Sequence, residues 1–401
     1  MKNIGKIAWQ LSLLLMLLLP ASGSARSDFQ QWLDDFRPVA GQQGVRNSTW
    51  DKAFEGIAEV DAKVLEKANY QPEFTTKIWD YLDGRVNPIS ISRGQLMDRV
   101  HDQTLAAVAQ KFGIKRSILL AIWSMESNYG AVLEQPDRLH YVPQALATLA
   151  FADPKRKKFG RTQLVAALKI LQAGDVGVDQ FSGSWAGAMG HTQFIPTSYL
   201  AYGVDMDGNG RRDIWNSIPD ALATAANLLH KNGWRSGKSW GYEVTLPAGS
   251  AALEGQTKLL SEWQQLGFSR PGGRGFPRPG EKAVLKLLAG KEGPGFLMMR
   301  NFFVLKRYNN ADAYALGVGL LADRLAGFPG MAQQWPRPPG SLNAEEKIEL
   351  QQLLQKRGYY RGEIDGNPGK GTRAAIAQFQ QQEGMAPDGA PSKSVLLKLR
   401  Q

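Results

Sequence analysis

The chain contains no cysteine in 401 residues. Disulfides, thiol nucleophiles and cysteine-held zinc or iron–sulfur centres are therefore excluded. Histidine is scarce as well: His101, His140, His191 and His230 are scattered and show no paired metal-ligand spacing. Long basic blocks are missing, the densest being Lys155-Arg156-Lys157-Lys158, so the net charge of +11 is spread along the chain. Such a spread offers no stripe for nucleic acid, and it is as readily ordinary solubility as attraction to an anionic cell wall. The apolar run Leu11–Leu19 falls well short of the roughly 20 residues of a membrane-spanning helix.

That run has another meaning. Lys2 and Lys6 precede it and Ala21-Ser22-Gly23-Ser24-Ala25 follow it. A basic head, a short apolar core and a small-residue exit predict a secretory signal peptide over 1–25, cleaved near Ala25. No cysteine follows to carry a lipid, so an exported protein without a membrane anchor is expected. A chain of this size buries enough apolar surface to fold without disulfides.

Apolar residues three and four apart predict helices over Gln103–Phe112, Ser117–Asn128, Arg161–Ala173, Pro219–Asn232 and Ala311–Leu325. The stretch 233–295 is rich in Gly and Pro and carries candidate strands at Tyr242–Leu246 and Ala283–Leu288. The expected fold is mainly α: a helical domain over 26–334 with a small β-containing insertion. A Pro-rich linker, 335–342, contains Trp335-Pro336-Arg337-Pro338-Pro339-Gly340. Beyond it, helices over Asn343–Arg357 and Thr372–Glu383 predict a small three-helix module, 343–401.

One acid stands out. In Ser117-Ile118-Leu119-Leu120-Ala121-Ile122-Trp123-Ser124-Met125-Glu126, residues Ile118 and Ile122 share the helix face of Glu126, and Trp123 crowds it. Ser117 can cap the start and Gly130 can end the helix. A carboxyl among apolar groups loses solvation, its pKa rises, and it becomes able to act as a general acid near neutral pH. A solvated edge glutamate is the plainer alternative. A second segment, Gly183-Ser184-Trp185-Ala186-Gly187-Ala188-Met189-Gly190-His191-Thr192-Gln193-Phe194, combines glycines that allow close backbone approach with Ser184 and Gln193, whose groups suit sugar hydroxyls. A tight helix crossing would use the same small residues.

Together these segments resemble the lytic transglycosylase B family, with its lysozyme-like catalytic domain. The resemblance runs from Gln71-Pro72-Glu73-Phe74 and Ile78-Trp79-Asp80-Tyr81-Leu82, through Ile122-Trp123 and Glu126-Ser127-Asn128-Tyr129-Gly130, to Gly187-Ala188-Met189-Gly190, Gln193-Phe194-Ile195-Pro196 and Arg307-Tyr308-Asn309. It implies a periplasmic enzyme acting on peptidoglycan glycan strands, with Glu126 as the sole acid/base and no cofactor for the chemistry. It further implies substrate contacts at Ser184, Gln193, Tyr308 and Asn309, a wall at Phe194, and a basic and aromatic pair at Arg156 and Phe159. Cell-wall synthesis or remodelling proteins are the partners such an enzyme would have. The segment Ala131–His140 departs from the family pattern. It holds Glu134 and Asp137, so a hydrolytic muramidase with a second carboxylate stays open, as does an inactive wall-binding scaffold.

The loop Asp205-Met206-Asp207-Gly208-Asn209-Gly210-Arg211-Arg212-Asp213 follows the EF-hand spacing, with oxygen donors at Asp205, Asp207, Asn209, the Arg211 carbonyl and Asp213. Position 12 is Asn216 instead of Glu, and Asp220 could supply the missing carboxylate. A structural calcium ion and a metal-free Asx turn are both compatible with this pattern; the resembled family can carry such a calcium loop. The tail resembles the three-helix peptidoglycan-binding domain through Leu350, Leu353-Leu354, Gly358-Tyr359-Tyr360, Ile364-Asp365-Gly366, Phe379-Gln380 and Asp388-Gly389. That implies targeting without chemistry.

Overall fold

The computed structural model describes residues 27–69 and 76–401. The leader assigned to 1–25 and the Gln71-Pro72-Glu73-Phe74 motif lie outside the described residues. Among those described, no helix is long and apolar enough to cross a membrane.

The hub is the helix Arg116–Ser127, in which all but Arg116, Ser117 and Glu126 are buried. The helices Pro88–Val100, Asp102–Phe112, Ile218–Lys231 and Asp312–Leu325 surround it. Its expected caps differ from those observed. The helix starts after Lys115 with no side-chain cap, and it closes at Asn128, whose left-handed φ of 52° lets the Asn128 and Tyr129 N–H groups bond back to Ser124 and Trp123. Burial explains why capping is dispensable here: a cap contributes about 1 kcal/mol, whereas each buried Leu or Ile contributes about 1.5–3 kcal/mol. A second close pair, Val142–Ala152 and Lys157–Ala173, meets at Gly160, where a Cβ would lie 2.5 Å from the Ala150 nitrogen.

The insertion is a four-stranded antiparallel sheet. Gly241–Val244 pairs with Gly295–Met298, which pairs with Lys282–Lys286, which pairs with Thr257–Leu259. Two of these strands, Thr257–Leu259 and Gly295–Met298, show no alternation in the sequence; the latter is buried along its whole length. A separate core of Val244, Leu260, Trp263, Phe268, Leu285 and Leu297 backs the sheet.

The C-terminal module consists of Ala344–Lys356, Lys370–Gln382 and Lys393–Arg400 around Leu350, Leu354, Ile376, Phe379, Leu396 and Leu399. The Pro-rich stretch before it is packed at both ends: Trp335 stacks on Phe296, and Leu342 is buried in the module core.

Candidate active site

Glu126 sits in the last turn of the hub helix, half-buried, with its backbone fixed by the buried residues on either side. Its Oε1 accepts a hydrogen bond of 2.5 Å from the Tyr314 hydroxyl. Burial raises its pKa to about 7; the Tyr314 hydrogen bond and the charge of Arg85 pull the other way and only partly offset that rise. A carboxyl poised there can give and take a proton at neutral pH.

No local sequence pattern marks Tyr314. It lies in the first turn of Asp312–Leu325 and is buried, and its ring stacks on Tyr308 at 6.2 Å. The only available signal was its position six residues after Tyr308 at a helix start, and nothing in that spacing shows which way the hydroxyl points. The Tyr308 hydroxyl in turn donates to the Thr192 carbonyl at 2.6 Å. A tyrosine pair thus links the acid to the glycine-bearing loop.

That loop is bolted to the hub helix. The Ser127 hydroxyl donates to the His191 carbonyl at 2.6 Å, and the Trp123 indole N–H donates to His191 Nδ1 at 3.2 Å. Burial lowers the His191 pKa to about 4, so the ring is neutral and can accept that bond. Gly190 has a φ of 65°, and a Cβ there would lie 2.3 Å from the Ile214 carbonyl oxygen.

The other expected residues have varied placements. Ser184 Oγ accepts from the Ala186 and Ala188 N–H groups and keeps its own O–H to donate. Gln193, at a φ of 49°, spends its amide N–H on the Gly190 carbonyl at 2.8 Å. Phe194 differs from the expected substrate wall: it is only 2 % exposed and packs edge-on behind Tyr308, so it supports that ring instead of facing the groove. Asn309 is exposed and its side chain accepts from the Ala311 N–H just before the Tyr314 helix. Arg156 pairs with Asp153 and lies over the Trp185 ring at 5.3 Å, and Phe159 and Trp185 pack on one apolar cluster. These three form a ledge at the far end of the loop from Gln193. Glu134 and Asp137 are exposed on short 3-10 turns. Among the described residues, no carboxylate adds a resolved charge effect to Glu126.

The Tyr314 hydrogen bond has a measurable consequence. In Tyr314→Phe the Glu126 carboxyl should titrate about one unit above its value in the parent protein, because a bond to the charged form is lost. Carbon-13 NMR of labelled glutamate would read this, and an unchanged titration would remove Tyr314 from the site.

In the acidic loop, carboxylate oxygens of Asp205, Asp207 and Asp220 lie within 4.8 Å of one another. Asp220 is buried and held by the Met206, Asp207 and Asp213 N–H groups. Burial raises its pKa against the pull of those bonds. Asn209 and Arg211 lie on the same turn, with Asn209 Oδ1 accepting from the Arg211 N–H. Asp213 is placed apart from the three: its carboxylate caps the next turn, accepting from the Trp215 and Asn216 N–H groups and the Asn216 amide. The all-oxygen, carboxylate-rich set fits a hard cation such as calcium.

Comparison with known proteins gives the family. Residues 28–323 match the Transglycosylase SLT domain family, and residues 343–399 match the peptidoglycan binding domain. SltB3 from Pseudomonas aeruginosa, solved in complex with NAG-anhNAM-pentapeptide, is 44% identical; the match covers 93% of this chain and 99% of SltB3 with a TM-score of 0.74. The membrane-bound lytic murein transglycosylase B of Escherichia coli (strain K12) is 28% identical over 250 residues, covering 60% of this chain and 65% of that protein. The chain therefore spans just under two thirds of the length of this curated relative. The Escherichia coli lytic transglycosylase SLT35, solved in complex with calcium, is 23% identical, covers 75% of this chain and 93% of its own, and has a TM-score of 0.59. At that identity the likeness carries the fold alone.

Proposed function

The chain belongs to the transglycosylase SLT domain family, and from that premise we propose that it is an exported lytic transglycosylase that cleaves peptidoglycan glycan strands with Glu126 as its one acid/base. The observation that carries this reading is a single half-buried carboxyl with a pKa near 7 and, among the described residues, no companion carboxylate acting on it. A two-carboxylate glycosidase separates the roles of acid and base or nucleophile between two groups. Here one group serves both. Protonated Glu126 gives its proton to the glycosidic oxygen as the bond to the muramic acid anomeric carbon breaks. The N-acetyl oxygen of the same sugar supports the cationic carbon. The Glu126 carboxylate then takes the proton of the 6-hydroxyl, whose oxygen closes a 1,6-anhydro ring. The acid ends the cycle protonated, so no water is consumed.

Around it, Tyr314 orients the carboxyl, while Ser184, Gln193, Tyr308 and Asn309 hold the sugars. Arg156 and Phe159 with Trp185 form an outer ledge. The C-terminal module binds the wall and raises the local concentration of the enzyme there. Mass spectrometry of fragments released from purified peptidoglycan tests the reaction. Products lighter than the hydrolytic ones by one water support it, and water-added products overturn it in favour of a muramidase.

Asp205, Asp207 and Asp220 would hold a calcium ion with Asn209 and the Arg211 carbonyl, and the ion's role would be to fix the loop. At calcium a hundredfold above its dissociation constant, the fold should gain about 2.7 kcal/mol. A calcium-dependent rise in melting temperature that Asp205→Asn abolishes is expected; a melting temperature indifferent to millimolar calcium would show a metal-free turn.

A further inference from the structure

The turn between the helices Ile78–Asp83 and Pro88–Val100 presents Arg85, the cation whose charge acts on Glu126. Both ends of that turn are gripped by the C-terminal module and the stretch leading into it. At one end, buried Asp83 receives Arg337 through both carboxylate oxygens, at 2.7 and 2.8 Å, and Lys347 at 2.7 Å. Lys347 also reaches Asp80 at 2.8 Å and is itself 7 % exposed, an unusual burial for a lysine. Beside Asp83, a Cβ at Gly84 would lie 3.6 Å from the Asn367 side chain, and at the other end the Asn87 amide donates to the Asp365 carbonyl at 3.3 Å. Farther along the same helix, Arg93 pairs with Glu363.

We propose that the C-terminal module is a fixed part of the catalytic domain's surface, and that Lys347, with Arg337, is a positioning residue that holds the 83–87 turn carrying Arg85, whose guanidinium lies over the Tyr81 ring at 5.8 Å. A flexible tether would not bury a lysine between two aspartates of another domain. Removing water from three charges is costly unless the geometry is held, and a pair held this way fixes register more than it adds stability. Other groups near the acid sit on other elements: Tyr314 on Asp312–Leu325, Tyr308 after Arg300–Leu305, and His191 and His101 against Trp123. Tyr81, on the gripped helix, acts on Tyr314. The module thus reaches the acid through Arg85 and Tyr81.

The inference rests on Glu126 being the acid, and the test is chosen to stand apart from that reading. Asp83→Asn with Lys347→Gln removes both charges of the buried pair and leaves Arg337 the new amide oxygen as an acceptor, and Lys347→Arg keeps the pair. In the full chain, carbon-13 NMR should show the Glu126 titration rising in the double variant by about half a unit, as it does in Arg85→Gln. Lys347→Arg should leave it in place, and adding Arg85→Gln to the double variant should move it little further. With a short soluble glycan, the alkaline limb of kcat/KM should follow the NMR value while binding to insoluble peptidoglycan is retained. A Glu126 titration unmoved in a folded double variant, or a shift that adds in full to that of Arg85→Gln, overturns the proposal. If Glu126→Gln were active, the functional reading would fail while the NMR titration still judged the latch.

Discussion

Glu126→Gln should lose about a thousandfold in glycan cleavage and, above pH 7, should be harder to unfold than the parent protein. Glutamine keeps the shape and can still accept the Tyr314 hydrogen bond, but it has no proton to give. The stability effect follows from the pKa of about 7 against an ordinary value of 4.5. The folded protein binds this proton more tightly than the unfolded chain does. Below pH 4.5 the carboxyl is protonated in both states and costs nothing. As pH rises from 4.5 through 7, the unfolded chain ionises freely while the folded one resists, and stability falls. The loss is complete above 7 and amounts to roughly 3 kcal/mol. Glutamine never ionises, so the two unfolding curves should coincide near pH 4 and separate by pH 8. The same proton sets the activity profile: kcat/KM should fall on the alkaline side with a midpoint near 7. Equal stability of the two proteins at both pH values would mean that the carboxyl is hydrated after all.

Gly190→Ala should be the most damaging single methyl in the catalytic loop. Its backbone sits at a φ of 65°, which costs an alanine about 1 kcal/mol or more. The new Cβ would stand 2.3 Å from the Ile214 carbonyl oxygen and 2.8 Å from its carbon, and backbone cannot swing aside as a side-chain tip can. Overpacking of this kind adds about 1–3 kcal/mol. The displacement reaches the chemistry, because the next two residues supply the His191 carbonyl that Ser127 holds and the Thr192 carbonyl that Tyr308 holds. A loss of about 3 kcal/mol in urea unfolding is expected, with activity lowered more than tenfold at temperatures where the variant is folded. Gly174→Ala is the control: its φ is also positive, but no atom lies within 4 Å of its Cβ position, so it should show the backbone strain alone. Equal losses in the two variants would remove packing against Ile214 as the cause.

The elements carrying the site were legible in the chain because their signals are local. The apolar spacing around Ile118, Ile122 and Glu126 is a property of one helix, and so is the desolvation of an acid placed on it. The glycines at 187 and 190, the EF-hand spacing from Asp205 and the two C-terminal helices also lie within short windows. Ser117 and Gly130 are not the caps that the sequence suggests: burial makes a side-chain cap dispensable at the start of the hub helix, and the left-handed Asn128 ends it. Strand Gly295–Met298 leaves no mark in the sequence because a strand buried on both faces shows no alternation. Phe194, a substrate wall by resemblance alone, is buried against Tyr308, because sequence cannot separate an aromatic ring facing a ligand from one packed on its neighbour.

By itself, the sequence determined the helical class and the order of the motifs and singled out Glu126 on an apolar helix face, since each depends on residues within a few turns of one another. Only the tertiary structure decided which groups meet across the fold. Tyr314 reaches Glu126 across 188 positions, and Lys347 reaches Asp83 across 264. No short-range pattern encodes such pairs. They arise when helices distant in sequence bury their apolar faces together, and the polar groups carried along must find partners where packing has set them.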